Sequence, residues 1–443
     1  MSEHIFDDDV DLVIRGGIIR ALDAEHVITD ALAVRAGRVV AVGSAARTMR
    51  TREIIELDGR TALPGINDAH LHGAWLGARW PHLFFSDTPP AEQPAGRLVS
   101  TEAERRAALR RTWALLAELG ITSYTEPGIG PGENDGETGC LGDDMLRTYL
   151  DLHREGAQTS RVTLLRLFGT VDGESRLDDF TRGIATPAPD TDPLWLAVTG
   201  VKVFADGIPP MATAWVCEPY PDGTDGHLLT RGGTDPLDAF RTMISLAAKQ
   251  GLQVAVHATG DRSIDEFITA LESADDAPRP AAPHYVVHGD LATPAQIERL
   301  RRLDAGFAVQ PLIAEHTHEW AGAMLGAERI QRAWPLDEMI RSGVRTTVTS
   351  DAPIATPDWR IGMDAALAAL GRDDSTTRSE LLRRLTLVPA EQDGAADWKG
   401  SLEVGKVADL VVLDEDPLET GRSVADIGIA RTVVDGRTVF ARD

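Results

Sequence analysis

The chain has 443 residues, of which 43% are hydrophobic and 26% charged, and carries a formal charge of −25. It is too long for one small core and fits a single large barrel with a smaller module, or roughly two or three ordinary domains. Such acidity argues against the basic surface that nucleic acid or an anionic membrane would require, and otherwise reads as solubility.

In chain order, residues 9–61 read as short strands: DLVIRG, GIIRAL, ALAVRAG, RVVAVG and IIELDG, with glycines between the runs. From LPGINDAHLHG onward the texture changes to apolar runs alternating with helical stretches. The run 101–119 is an amphipathic helix, followed by the strand ITSYTE. Then come the strands RVTLLRLFG, WLAVTGVKVFADG, LQVAVHATGD, HYVVHGD, FAVQP and VRTTVTSDAP, most of them separated by helical patterns. Counting LPGINDAHLHG there are eight strand candidates, each but the last preceding a helical pattern, which predicts an α/β chain with a (β/α)8 barrel. The C-terminal runs KVADLVVLDED, ARTVVDG and RTVFARD return to the β-rich texture. The expected organisation is a barrel over 63–387 and a small composite β-sandwich built from 1–62 and 388–443.

The N-terminal MSEHIFDDD has no apolar segment of the export type, and no apolar run approaches the roughly 18 residues a spanning helix needs. Cys140 and Cys217 have no paired spacing, so neither a disulfide framework nor a cysteine metal cage is expected, and a reducing cytoplasm is the default compartment. A monomer and a homo-oligomer both remain open.

Barrel chemistry sits at the C-terminal ends of the strands. Polar residues end these strands in an orderly way: His70 and His72 on the first, Lys202 in the fourth, His257 on the fifth, His288 on the sixth and Asp351 on the eighth. In extended backbone, residues at i and i+2 face one side, so His70 and His72 can chelate one ion together. Imidazole and carboxylate donors suit zinc first, with cobalt, manganese or iron fitting the same set, as one ion or two. An isolated HxH pair is weak evidence; two more strand-end histidines and an aspartate make a metal site. Asp351 is placed to take a proton from the attacking water and pass it to the leaving amine.

Lys202 lies in an apolar run, where an unpaired ammonium is costly. Two readings remain: an ion pair with Asp206, or conversion by CO2 to N6-carboxylysine, an anionic ligand able to bridge two ions. Strand 2 ends in Glu126, read as structural rather than catalytic. Aromatic residues cluster in what read as loops beyond the strands: Trp75, Trp80, His82, Phe84 and Phe85 after the first, Met211, Trp215 and Tyr220 after the fourth, and His316, His318 and Trp320 after the seventh. With aromatics only 5% of the chain, the clusters suggest an apolar pocket for a hydrophobic or aryl substrate, for which Trp75, Trp80, Phe84, Trp215, His316 and Trp320 are the candidates. His316 or His318 is a candidate donor to the substrate carbonyl.

The motifs LPGINDAHLHG, GVKVFADG, VAVHATGD, YVVHGD, TVTSDAP and GSLEVGKVADLVVLD together resemble the amidohydrolase superfamily, over about residues 10–440. GVKVFADG with HATGDRSID is similar to its amidohydrolase-3 branch, which includes hydrolases of N-substituted formamides and is related to enzymes acting on thiocarbamates and phenylureas. The resemblance implies metal binding by His70, His72, His257, His288 and Asp351, with Lys202 as a carboxylated ligand, and metal-activated water attacking a carbonyl carbon. The expected reaction is cleavage of a C–N bond in an amide, carbamate, thiocarbamate or urea with a hydrophobic substituent. The alternative is a cyclic amidohydrolase or deaminase acting on a polar heterocycle, of the hydantoinase or imidazolonepropionase kind. The stretch between His72 and strand 2 is shorter than the insertion common in that branch.

Overall fold

The computed structural model describes residues 9–86, 89, 92–274 and 277–442. The acidic residues 1–8, in which no export signal was expected, lie outside that set. Eight parallel strands form a nearly closed barrel: Ile66–Asp68, Ile121–Ile129, Arg161–Leu167, Leu196–Phe204, Gln253–Ala258, Tyr285–His288, Gly306–Val309 and Arg345–Val348. We number them strands 1 to 8. Each pairs in parallel with its sequence neighbour, as the alternation of strand and helix predicts.

Strands 8 and 1 do not pair directly. At the lower end a segment after the barrel bridges them: Asn67 N donates to Leu385 O at 2.9 Å and Val348 N to Arg384 O at 3.1 Å. At the upper end the bridge is direct, Asp351 N to His70 O at 2.9 Å and His72 N to Ala352 O at 2.8 Å. The seam therefore closes through the residues expected to carry the chemistry.

The helix read over 101–119 runs Glu102–Glu118 and opens with a capping box in which Glu104 N donates to Thr101 Oγ1 and Thr101 N to Glu104 Oε2. It buries Leu109, Trp113 and Leu116 in the main core. It also receives the helix Gly73–Arg79 at close range, since a Cβ at Gly77 would collide with the Ala108 carbonyl oxygen. Thr112 Oγ1 donates to Gly73 O at 2.6 Å, tying down the segment immediately after His72.

Three local expectations change. GAWLGAR and the stretch carrying His316 to Trp320 are helices, Gly73–Arg79 and Pro311–Leu325, rather than loops. In the second, Pro311 occupies the first turn, where its missing N–H has no helical partner to lose. Strand 8 is also followed by a helix, Trp359–Leu370, capped by Asp358 accepting from Arg360 N at 3.1 Å.

Strands from both ends of the chain share a second sheet: Asp9–Arg20, Ile28–Arg35, Arg38–Val42, Arg50–Glu56 and Thr61–Pro64 with Leu410–Leu413, Ile429–Val434 and Arg437–Ala441. DLVIRG and GIIRAL, read as two strands, form one. Its register shifts between Arg15 and Ile19, where Gly16 has φ +83°, so the first half pairs with Arg50–Glu56 and the end with Thr61–Pro64. Alternate residues feed separate clusters, Leu12, Ile14, Leu32 and Val34 on one face and Val13, Ala31 and Ala33 on the other. This sheet docks on the barrel through buried Arg161, which donates to Asp409 at 2.6 and 3.0 Å. Among the described residues no helix is long and apolar enough to cross a membrane, and Cys140 and Cys217 are both free.

Candidate metal centre

His70 and His72 follow strand 1 and both approach the same carboxylate oxygen. His70 Nε2 stands 3.2 Å and His72 Nε2 3.5 Å from Asp351 Oδ1. The i, i+2 spacing thus directs both imidazoles to one point. His288, the last residue of strand 6, joins them: ligating atoms of His70, His288 and Asp351 all lie within 4.8 Å of one another. The His257 ring centroid, from strand 5, is 4.6 Å from that of His288. His257 Nε2 meanwhile lies 3.1 Å from Gly207 O. His72 and His257 flank the tight three-residue group rather than completing it.

Two of these residues have left-handed backbone, His288 at φ +73° and Asp351 at φ +56°. Such a conformation costs a non-glycine residue about 1–3 kcal/mol, and strain of this kind gathers at functional sites. Asp68 Oδ1 braces the arrangement, accepting from His70 N at 3.2 Å and Ser350 N at 3.3 Å, so one carboxylate links the ends of strands 1 and 8. Burial pushes the Asp68 carboxyl up to about 7.

Burial also holds the His70 and His288 imidazoles well below their ordinary value. For His70 the nearby Lys202, His72 and His257 act in the same direction; for His288 His257 is the chief one. A neutral imidazole keeps a lone pair, the form a metal requires. Gln310 adds a directional constraint on His288: its Oε1 lies 2.7 Å from His288 Nδ1, while its amide nitrogen donates to Ala308 O and Thr349 Oγ1. The amide oxygen therefore faces the imidazole, and the proton of His288 belongs on Nδ1. His70 Nδ1 and His72 Nδ1 are buried without a hydrogen-bond partner among the described residues. Neutral nitrogen donors and a carboxylate converging in a buried space fit a divalent transition ion.

Lys202 is 1% exposed, and its Nζ lies 4.8 Å from the Phe204 ring centroid. Burial draws its amine down to about 7, against the opposing pull of Asp351 and Asp172. The ion pair with Asp206 is not formed. Asp206 instead accepts from Trp215 N and Gly260 N at 2.9 Å, Thr259 N at 3.0 Å and Ser263 Oγ at 2.7 Å. Those donors use up the carboxylate in shaping the turns after strands 4 and 5.

The aromatic candidates divide. Trp75 packs edge-on against His72 at 5.9 Å and Phe84 at 5.2 Å, making a row that runs outward from the histidines to Phe84, which is 44% exposed. Phe85 stacks on His316 at 5.2 Å. Trp80 packs on the main core and buried Trp215 joins it, with Arg262 over the Trp215 ring at 4.3 Å. His316, His318 and Trp320 lie exposed on Pro311–Leu325.

Two residues gain importance beyond the sequence reading. Gln310 ends strand 7 and obeys the same strand-end rule as the histidines, which could have marked it. Glu126 in strand 2 is fully buried, with Oε1 3.7 Å from His72 Nδ1.

One end of the (β/α)8 barrel thus gathers strand-end imidazoles, the aspartate after strand 8 and a buried lysine. The chain belongs to the amidohydrolase family, whose family model (Amidohydro_3) matches residues 82–440. YtcJ of Bacillus subtilis (strain 168) is 26% identical over 253 residues, 55% of this chain and 47% of that protein. N-substituted formamide deformylase of Arthrobacter pascens is 30% identical over 209 residues, 44% of this chain and 38% of that protein. The chain thus aligns with less than half the length of these two curated relatives. Imidazolonepropionase of Deinococcus radiodurans is 26% identical over 419 residues, 91% of this chain and 92% of that protein. The crystal structure of an uncharacterized metal-dependent hydrolase from Pyrococcus horikoshii superposes with a TM-score of 0.73 at 19% identity, covering 94% of this chain and 99% of that one. It shares the fold.

Proposed function

We propose that this amidohydrolase cleaves a C–N bond in an amide, carbamate, thiocarbamate or urea bearing a hydrophobic or aryl group, using a metal held by His70, His72, His257, His288 and Asp351. The observation that carries the reading is the approach of both strand-1 imidazoles and His288 to Asp351. A bound divalent ion, zinc before cobalt, manganese or iron, supplies Lewis-acid polarisation of the scissile carbonyl and makes the attacking water more acidic.

The chain's own residues do the rest. Asp351 accepts the proton of the attacking water and returns it to the departing amine nitrogen, which is the leaving group of a C–N hydrolysis. Gln310 keeps the His288 proton on Nδ1 and so frees its Nε2. Lys202, with an amine drawn down to about 7, is available in its neutral form to add CO2. The new N–C bond forms with loss of one proton and leaves a carbamate anion, able to serve one ion or two. The row from Trp75 to Phe84 supports an apolar substituent, and the formamide deformylase relative supports an N-substituted amide. The protein is further expected to act in the cytoplasm on a small molecule, without a nucleic-acid partner.

The second reading, hydrolysis or deamination of a polar heterocycle, is favoured by the near full-length alignment with imidazolonepropionase. Both readings require metal in the purified protein and loss of turnover on chelation. Aryl formamides, carbamates and ureas assayed beside hydantoins, imidazolones and aminopyrimidines separate them. A protein that neither holds nor regains metal overturns both.

A further inference from the structure

We propose that Glu126 is the positioning residue for His72: its Oε1 accepts a hydrogen bond from the His72 Nδ1–H and leaves Nε2 with the lone pair that faces Asp351. The inference rests on the metal-centre reading above and concerns a residue that carries no role in it.

The geometry is a set of one-way donations ending in a carboxylate. Trp113 Nε1, which can only donate, lies 3.3 Å from Tyr124 OH, and Tyr124 OH lies 2.9 Å from Tyr149 OH. Tyr149 OH donates to Glu126 Oε2 at 2.8 Å, so the Tyr124 proton must point to Tyr149. Ala74 N, in the first turn after His72, donates to the same Oε2 at 3.2 Å. Gly73 allows that approach, because a Cβ there would stand 2.7 Å from the Tyr124 ring. Oε2 is therefore saturated and its orientation fixed.

The other oxygen is left over. Glu126 Oε1 and His72 Nδ1 are both buried, both lack a hydrogen-bond partner among the described residues, and face each other at 3.7 Å. No arginine or lysine forms an ion pair with Glu126 among the described residues. Approach by roughly 0.5 Å would bring the two atoms into hydrogen-bonding range. The imidazole then spans two carboxylates, Nδ1 toward Glu126 and Nε2 toward Asp351, 3.5 Å away. Gln310 serves His288 in the same way through Nδ1. Outer acceptors of this kind fix the tautomer of a metal-ligating histidine and raise its basicity.

A glutamine at 126 makes a sharp test. Tyr149 OH and Ala74 N demand an acceptor at the Oε2 position, so the amide oxygen must sit there and the NH2 must face His72 Nδ1. That presents a donor where an acceptor stood and favours the tautomer with the proton on Nε2, which cannot ligate. Zn2+ affinity of the metal-depleted wild type, Glu126→Gln and Glu126→Asp is measured by competition with a chromophoric chelator. The visible spectrum of the Co2+ forms and the melting of the metal-free forms are recorded alongside. Glu126→Gln is expected to lose roughly 10- to 100-fold in affinity and to change the Co2+ spectrum, with Glu126→Asp between it and the wild type. Metal-free melting is expected to stay close to wild type. Wild-type affinity and spectrum in Glu126→Gln would overturn the proposal while leaving the metal centre intact.

A wild type that binds no Zn2+ removes the metal centre instead, and the tautomer is then read directly. Long-range nitrogen–proton NMR on histidine-labelled, metal-free wild type is expected to show the His72 proton on Nδ1. A proton on Nε2 overturns the proposal whether or not metal binds and whether or not the variants fold.

Discussion

Asp351 and His70 meet twice. The Asp351 amide donates to the His70 carbonyl at 2.9 Å, and Asp351 Oδ1 lies 3.2 Å from His70 Nε2. The backbone contact closes the barrel seam and the side-chain contact forms the candidate site, so structure and chemistry share one pair of residues but use different atoms of it. That separation makes Asp351→Asn informative. The amide bond to His70 O survives, whereas the proton acceptor is lost. Turnover is expected to fall by roughly 100-fold or more, with melting within a few degrees of wild type. Comparable turnover in the variant would remove Asp351 from the chemistry.

The buried imidazoles of the metal-free protein are expected to cost it stability as pH falls, against the buried Asp68 and Asp290 carboxyls, whose values of about 7 act in the opposite direction. His70, His284 and His288 all have imidazoles held by burial below the ordinary 6.5, His284 at about 4. The unfolded chain takes up these protons near 6.5 and the native state does not, so the imidazole contribution is full above 6.5 and declines below it. His284 is the cleanest probe, because it lies away from the candidate site and its Nδ1 accepts from Val254 N at 3.0 Å. Between pH 6.5 and 4 it accounts for at most about 3 kcal/mol. His284→Gln keeps an acceptor for Val254 without the titration, and chemical denaturation should show a shallower fall with pH. An unchanged slope would exclude His284 as a source.

Much of this was legible in the sequence, for a physical reason. The chemistry of a candidate metal site restricts residue type and barrel topology restricts position, so His70, His72, His257, His288 and Asp351 stand out as candidates at strand ends. Glu126 and Gln310 stand at strand ends too, but their roles do not show there, because these depend on where the second nitrogen of an imidazole points, and rotamers fix that rather than spacing. The fate of Asp206 was hidden similarly. Its four donors come from residues 215, 259, 260 and 263, brought round it only by the fold. The Asp9–Arg20 strand read as two because Gly16 and Gly17 look like a turn, whereas here they host a register shift. Gly73–Arg79 read as a loop because its two glycines weaken helix propensity, and packing against Glu102–Glu118 overrides that.

Removal of the Lys202 amine should separate its electrostatic cost from its use. With the folded value at about 7 against 10.5 in the free side chain, the native state disfavours the ammonium. That penalty is complete below about 7 and vanishes above 10.5, where the amine is neutral in both states. Lys202→Met keeps comparable length and apolar bulk. The metal-free variant is expected to be more stable than the metal-free wild type at neutral and lower pH, the gap closing toward pH 10.5. Turnover is expected to be lost. Carbon-13 NMR of protein equilibrated with labelled CO2 should give a carbamate signal in the wild type that is absent from Lys202→Met. A wild type with no such signal removes the carbamate while leaving the stability expectation in force.

The joint between the terminal sheet and the barrel can be probed without touching the site. Arg161 and Asp409 are both buried, and Asp409 Oδ1 also accepts from Asp435 N at 2.9 Å. The Arg161 guanidinium lies 4.6 Å from the Trp195 ring and donates to Leu194 O, so it stays enclosed when its carboxylate is removed. Breaking a buried pair from one side typically costs about 3–5 kcal/mol, here toward the low end because Asp435 Oδ1 stays 3.3 Å from Arg161 Nη2. Asp409→Ala should lower stability by that order, and Arg161→Met with Asp409→Leu should recover much of it, since an apolar pair leaves no stranded charge. Zn2+ affinity should be unchanged throughout, because Asp409 belongs to the sheet joint and Asp351 to the opposite end of the barrel. A loss of affinity that tracks the loss of stability would mean that the terminal sheet also holds the metal centre in shape.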